Sequence, residues 1–548
     1  MKKTSIRIIS AVLSALMLIS MLSVSALAAD KNTSATGGDG GSDGDITWGW
    51  SSVDNILTIN GTGYMNNYSE DNLPPWYIYR FEIDKIVIGE GVESIGFFAF
   101  YGLSGVKEIV LPDSLTYIGG YAFSGCEMLK TISIPENVNN IHWDAWDDSS
   151  FSAFDVAPLS QYYLSVDGNL YAYNDNNDLV LVKYANCSCD KTFTVPDTVV
   201  GIDDEAFDDC KSLTKINITK NVSDISSYAI DNCPALTTIE VVENSKYFYS
   251  QSGVLFKKDA GNTASLLRCP QAKAIAKYTV PDATSEIMTY AFKNCSKLKT
   301  LIIPDSVNKI ATYAFRNCTR LSSVDFGCGV KNIGYFAFDC PSLKSVYLPK
   351  SVTSIGIKSM GYMVSEQGEE KVSGFKLYYV KGTPNSAKIS EYCGLYGISS
   401  AYLTLGSASL NAGAAKSIVP PVGVVSSWTS NKKSVAAVKN GTITALKKGS
   451  ATITATLNDG SKLTRKVTVK SNPKLSKSSV TVKKGKTVSV KITGKVKSIN
   501  NVYTNTKIAK ITSAKSATTL KVKGLQKGST TLKVKVNGYS LKLKVNVK

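Results

Sequence analysis

Residues 287–321 read IMTYAFKNCSKLKTLIIPDSVNKIATYAFRNCTRL. Within that stretch Ala291-Phe292 returns as Ala314-Phe315, 23 residues later, and Cys295 and Leu298 return as Cys318 and Leu321. The same dipeptide stands at Ala99-Phe100, Ala122-Phe123, Ala206-Phe207 and Ala337-Phe338, with degenerate copies at Ala145-Trp146 and Ala229-Ile230. The shared pattern is V-x-x-I-x-x-x-A-F-x-x-C-x-x-L-x-x-I-x-I-P. Its I-x-I ending has the period of a short strand, and the proline that follows cannot continue a ladder. A unit this short cannot bury its own Leu, Ile and Phe. Stacked on a neighbour at about 4.8 Å per strand, it builds a continuous core, so the sequence predicts a solenoid.

Working outward, a longer period appears. Ala145 to Ala206 and Ala229 to Ala291 are gaps of 61 and 62 residues. Tyr162, Gly168 and Leu170 in the first return 85 residues later as Tyr247, Gly253 and Leu255. The two inserted islands, at about 157–195 and 242–280, read as hairpins projecting from the solenoid: Leu170–Tyr173, the polar turn Asn174–Asp178, then Leu179–Val182. Tyr162 and Tyr247 keep the register and are expected to be structural.

These residues resemble the BspA-type leucine-rich repeats of bacterial surface proteins, over about residues 45–400. Residues 45–91, with Trp48, Gly61-Thr62-Gly63 and Pro75-Trp76, are similar to that family's N-terminal cap. Residues 92–373 hold the repeats, and residues 374–400, with Tyr378 and Tyr392, resemble its C-terminal cap. Trp146 and Ile230 in place of Phe, and Leu103 in place of Cys, depart from the pattern. Residues 401–470 and 471–548 carry short alternating strands such as Leu541–Val545, and resemble group 2 bacterial immunoglobulin-like domains. The first matches through Trp428-Thr429-Ser430 and Lys447-Lys448-Gly449. The second lacks the Trp. The expected fold is mainly β: a leucine-rich repeat solenoid with hairpin islands and end caps, then two Ig-like sandwiches.

Charge divides the chain along the same line. Residues 30–400 carry 30 Lys and Arg against 43 Asp and Glu; residues 401–548 carry 29 against Asp459 alone. The formal net charge of +18 thus joins an acidic body to a basic tail. Residues 1–29 have the Lys2-Lys3 start, apolar run and Ala26-Leu27-Ala28 end of a secretory signal peptide. The expected location is secreted, extracellular or wall-associated, with no membrane span after cleavage. Residues 30–44, with the glycine- and aspartate-rich run 37–45, read as a flexible linker in preference to a calcium-binding repeat.

Six cysteines, Cys126, Cys210, Cys233, Cys295, Cys318 and Cys340, occupy one repeat position and are read as buried thiols in a ladder. Cys187-x-Cys189 is too short a spacing for a metal site without further ligands. No catalytic motif, cofactor or metal site is expected. With His142 as the single histidine, triads and His-ligated metals have no residues to build from. Asp203-Asp204-Glu205 and Asp208-Asp209 read as solvated acids of a repeat turn.

The expected site is the outward, concave face of the I-x-I strands: Glu108, Thr131, Ser133, Asp155, Lys215, Asn217, Thr238, Glu240, Thr300, Ser323, Asp325, Ser345 and Tyr347. The resemblance implies a non-catalytic binding protein, engaged in adhesion to a protein or glycan ligand on a host or bacterial surface. Polysaccharide capture or scaffolding is the alternative. In the tail, alternation turns Lys533, Lys535, Lys542 and Lys544 outward, where they suit an anionic wall polymer. Nucleic acid is not an expected partner, since Arg465 is the tail's one arginine.

Overall fold

The computed structural model describes residues 38–548 except 148, 150, 186–189, 366, 495–498, 504–506, 513–517 and 537–538. The leader and the Cys187/Cys189 pair lie outside the described residues. The chain forms two compact units, one dominated by residues up to 377 and the other by residues from 400 onward.

In the first unit each repeat contributes to two parallel stacks and one turn column. The I-x-I strands make the first stack, for example Lys277–Thr279, Thr300–Ile302 and Ser323–Asp325, paired in register as Thr300 to Ser323 and Leu301 to Val324. The V-x-x-I segments make the second: Thr284–Ile287, Lys309–Ile310, Asn332–Ile333 and Ser354–Ile355. Between them the Ala-Phe turns form their own ladder. Phe292 N donates to Ala314 O and Phe315 N to Ala337 O, each at 2.8 Å. The Phe rings insert and stack, with centroids 4.9 Å apart for Phe292–Phe315 and for Phe315–Phe338. Phe100, Phe123 and Trp146 continue the scheme, and the Trp substitution is absorbed as a stacked ring. The N-terminal cap closes this column with Trp76, which is fully buried and donates its Nε1–H to Ala99 O at 2.8 Å. At the other end the hairpin Tyr362–Ser365/Gly368–Lys371 and the helix Ser386–Tyr396 follow the last repeat.

The islands do more than project. In each, a three-stranded antiparallel sheet (Tyr163–Val166, Asn169–Tyr173, Leu179–Lys183) hands its third strand to the second stack, where it runs parallel to Val199–Ile202. Phe248–Gln251, Val254–Lys258 and Ala264–Arg268 repeat this against Thr284–Ile287. Each island therefore supplies a full rung, because Leu181 and Leu266 sit in the core at the position a repeat Ile would fill. The tyrosine expectation shifts by one residue. Tyr162 and Tyr247 are 46% and 44% exposed, while Tyr163 and Phe248 are buried. On a strand, neighbours face opposite sides, so a one-residue error in register swaps the roles.

A second correction concerns the stretch read as a linker. Residues Gly38–Asp43 form a strand paired antiparallel with Ile46–Ser51. The turn between them is made by Gly44 at φ +67. Glycine and aspartate lack strand propensity, but an edge strand needs only backbone groups to pair, and the cap sheet offers them.

The second unit contains two sandwiches. In the first, Ser409–Asn411, Lys462–Lys470, Gly449–Leu457 and Val425–Ser430 form one sheet; Ala415–Ser417, Thr442–Ala445 and Ala436–Lys439 form the other. Asn440-Gly441 makes the tight hairpin turn with both φ positive. In the second, Lys474–Leu475, Thr487–Thr493, Thr519–Gly524 and Ala509–Ile511 oppose Ser479–Val482, Tyr539–Val547, Gly528–Val536 and Ile499–Tyr503. Val490, Leu520, Leu532, Val534, Leu543 and Val545 fill its core.

Candidate functional site

The I-x-I strands alternate as their sequence requires. Ile132, Ile216 and Leu301 are buried, while Glu108, Thr131, Ser133, Asp155, Glu240 and Ser323 are exposed and Lys215, Asn217, Thr238, Thr300, Asp325 and Ser345 half-buried. Tyr347 departs from the row. It is buried, because its strand meets the C-terminal cap, where Lys376 N donates to Lys344 O at 2.9 Å. The exposed charges of this face pair across rungs: Lys85 with Glu108 and Lys215 with Glu240, each at 2.7 Å. Ser133 donates to Asp155 at 3.4 Å and Asn217 to Thr194 at 2.9 Å. The face is polar and largely satisfied by itself.

The second sandwich presents the opposite condition. Lys533, Lys535, Lys542 and Lys544 are all exposed. Lys533 stands directly opposite Lys542 on the neighbouring strand. On the other sheet Lys510 stands opposite Lys523. No ion pair reaches these lysines among the described residues, and the tail's one acid, Asp459, is buried and bonded to Ser461. Like charges facing each other across strands are destabilising, and here nothing within the sheet offsets them.

A third surface went unnoticed in the sequence. The residue before each Ala-Phe lies in the left-handed region: Phe98, Tyr121, Glu205, Tyr290, Tyr313 and Phe336, at φ between 43 and 57. Rung-to-rung bonds hold it there, as where Tyr313 N donates to Tyr335 O at 3.0 Å. The conformation turns Tyr290 and Tyr313 out of the turn, where they stack on each other and meet Tyr228 and Tyr335. Tyr228, Tyr290, Tyr313 and Tyr335 touch in succession, with centroids 5.2–5.4 Å apart. Tyr228 is 44% exposed. Lys293 lies over Tyr290 and Arg316 over Tyr313. The readable signal was an aromatic residue immediately before most Ala-Phe copies.

The acidic turn around Ala206-Phe207 is solvated only at its start, where Asp203 is exposed and Asp204 half-buried. Asp208 and Asp209 are each 8% exposed and Glu205 is half-buried, between the island rung, whose Lys183 Nζ donates to the Glu205 carbonyl, and the next repeat, whose Asn232 donates to Asp209. Burial, aided by the Asp208 charge, pushes the Glu205 carboxyl up to about 8. Burial likewise raises Asp208 to about 6. One carboxylate oxygen each from Asp147, Glu205 and Asp208 lie within 4.8 Å of one another. His142 is in contact with Asp144 and packs edge-on to Phe97, so it is a half-buried part of its turn.

The cysteine ladder stands as read. All six thiols are buried and none is in a disulfide. Cys126, Cys233, Cys318 and Cys340 donate to carbonyls at 3.0–3.3 Å. Burial pushes Cys126 up to about 12.

Comparison with known proteins matches the solenoid and the first of the two sandwiches. The BspA-type leucine-rich repeat family model matches in six copies, over residues 76–162, 182–254 and 269–365. The group 2 bacterial Ig-like domain matches residues 424–469. The chain thus carries a BspA-type leucine-rich repeat region followed by a bacterial Ig-like domain. It is similar to a leucine-rich cell surface protein of Faecalibacterium prausnitzii, at 20% identity over 68% of this chain and 95% of that one, with a TM-score of 0.38. A leucine-rich repeat protein of Eubacterium ventriosum shares 21% identity over 57% and 82%, TM-score 0.35. The pneumococcal vaccine antigen PcpA shares 18% over 67% and 98%, TM-score 0.34. No curated protein matches the chain. No helix among the described residues is long and apolar enough to cross a membrane.

Proposed function

We propose that this chain is a non-catalytic binding protein of a bacterial surface. The solenoid presents the recognition surface, and the lysine-covered sandwiches tether it to anionic wall polymer. The observation that carries the tether is the facing of Lys533 and Lys542 with no acid in reach among the described residues. A sheet built this way is relieved by an external polyanion, and exposed lysines bind one through charge without reading its structure. Repeat scaffolds serve many ligands, so the family alone does not name the solenoid's partner. The test compares full-length protein with the Lys533→Gln, Lys535→Gln, Lys542→Gln, Lys544→Gln variant for retention on purified wall. Retention should fall several-fold in the variant and on wall stripped of teichoic acid. Equal retention of both proteins would remove the tether.

A glycan ligand is a second reading, favoured by the tyrosine column of the turn face. Aromatic rings about 5 Å apart give the apolar face of a sugar a place to stack. A glycan array probed with wild type and with Tyr290→Ala and Tyr313→Ala separates the two: a glycan signal lost in both variants supports stacking, and no glycan signal leaves a protein ligand on the strand face.

A further inference from the structure

The first sandwich carries a groove that neither the strand face nor the lysines of the second sandwich account for. Its two sheets end side by side, with Val425–Ser430 at the edge of one and Ala436–Lys439 at the edge of the other. Between these edges opens a groove of about 560 Å³. Small-ligand sites span roughly 300–1,000 Å³. Val419, Val425 and Val438 supply an apolar wall, and half-buried Trp428 lies among them. The ring is braced by the Asn440-Gly441 turn. A methyl group at Gly441 would sit 3.1 Å from Trp428 Cζ2 and 2.5 Å from Val419 Cγ2. Ile418 N donates to Gly441 O at 2.9 Å, which ties the Val419 segment to the same turn.

Polar groups gather on this wall without partners in the protein. Among the described residues no hydrogen bond reaches the Trp428 indole N–H, the Ser427 hydroxyl or the Asn440 side-chain amide, and no ion pair reaches Lys439. An aromatic ring with hydrogen-bonding groups and a cation around it suits a sugar. The ring meets the apolar C–H face, the polar groups take hydroxyls, and the ammonium takes an acid substituent. A free sheet edge also invites an added peptide strand. Two features oppose that here. The edge strand carries a bulge between Val425 and Ser427, and the facing edge ends on the exposed Lys439. Bulges and edge lysines are devices that keep strands from adding.

We propose that the Trp428 groove binds a pyranose ring bearing a carboxylate, with the sugar face on Trp428, hydroxyls on Ser427 and Asn440, and the carboxylate on Lys439. The site is separate from Lys533, Lys535, Lys542 and Lys544. It reads the shape of one sugar residue, where the tether rests on charge alone.

The test titrates full-length protein calorimetrically, at physiological salt, with a disaccharide of glucuronic acid and with its neutral glucose counterpart. The glucuronate disaccharide should bind, and the neutral one several-fold more weakly. Trp428→Phe keeps the apolar packing but loses the indole N–H and part of the ring. Asn440→Gly suits the positive φ of that turn position and removes only the amide. Each should weaken glucuronate binding about three- to tenfold, as expected for one lost hydrogen bond, with the melt unchanged. Lys439→Gln should bring glucuronate down to the affinity of the neutral sugar. The variant with all four second-sandwich lysines changed to Gln should bind both sugars as wild type does, so failure of the tether leaves this site standing. The proposal is overturned if wild type binds neither disaccharide, or if binding is undiminished in both Trp428→Phe and Asn440→Gly. It is equally overturned if an extended peptide occupies the groove and the sugars do not.

Discussion

The solenoid and the second sandwich handle surface charge in opposite ways. On the solenoid, Lys85 meets Glu108, Lys107 meets Asp84, Lys215 meets Glu240 and Lys309 meets Glu286, all across adjacent rungs. On the sandwich, lysine faces lysine. Such exposed pairs add little stability, so neither arrangement is what holds its unit together. The difference teaches where each unit looks for partners. The solenoid's strand face pairs its charges from within, so a partner proposed for it would be read through shape and hydrogen bonds. The sandwich surface leaves its lysines without ion pairs among the described residues, which is the basis of the proposed tether.

The largest expected effect lies in the core, where the units should behave independently. Phe315 is fully buried between Phe292 and Phe338. Phe315→Ala should cost the solenoid about 3–5 kcal/mol through the cavity it leaves. Every cysteine lies before residue 400, so thiol reactivity in denaturant reports the solenoid alone. The variant's thiols should become reactive at lower denaturant, with the sandwich transition unmoved. A shift of both would mean the units unfold as one.

Native thiol reactivity sharpens the same contrast without mutation. With Cys126 raised to about 12 by burial, its thiol stays protonated at pH 8 and shielded from reagent. Titration without reductant should find the six ladder thiols slow in the native protein and fully reactive once denatured. Rapid native reaction, or fewer than six on denaturation, breaks the ladder.

A pair of charge reversals tests the surface difference directly. Lys533→Glu sets an acid opposite Lys542 and should stabilise its sandwich by about 0.2–1 kcal/mol. Lys215→Glu sets an acid beside Glu240 and should destabilise the solenoid by a similar amount. Opposite signs are the expected outcome in denaturant melts. The smallest effect belongs to Ser323→Ala, on an exposed strand position, which should cost less than about 0.5 kcal/mol.

Much of this was legible in the sequence, because a 23-residue period fixes strand facing: Leu298, Leu301 and Phe315 had to be core and Ser323 had to be outward. The tail's alternation likewise places Lys533 and Lys542 outward from sequence alone. What escaped was decided by long-range placement. Gly38–Asp43 has no local tendency to be a strand and becomes one by pairing. Asp208 looks like a solvated acid until the island strand Leu179–Lys183, which does not carry the repeat pattern, packs beside its turn as a rung. Tyr347 lies on the predicted face and is lost to the cap that follows it. The turn-face tyrosines were visible as letters, but their role depends on a left-handed backbone that the repeat pattern does not announce.

The salt dependence of wall binding tests the division most directly. Full-length protein should be retained on purified wall at physiological salt, where charges act over about 8 Å, and released at 1 M, where that reach falls to about 3 Å. Retention that is unchanged between those conditions, or absent in both, would contradict the account of the sandwich lysines as an anion-binding surface.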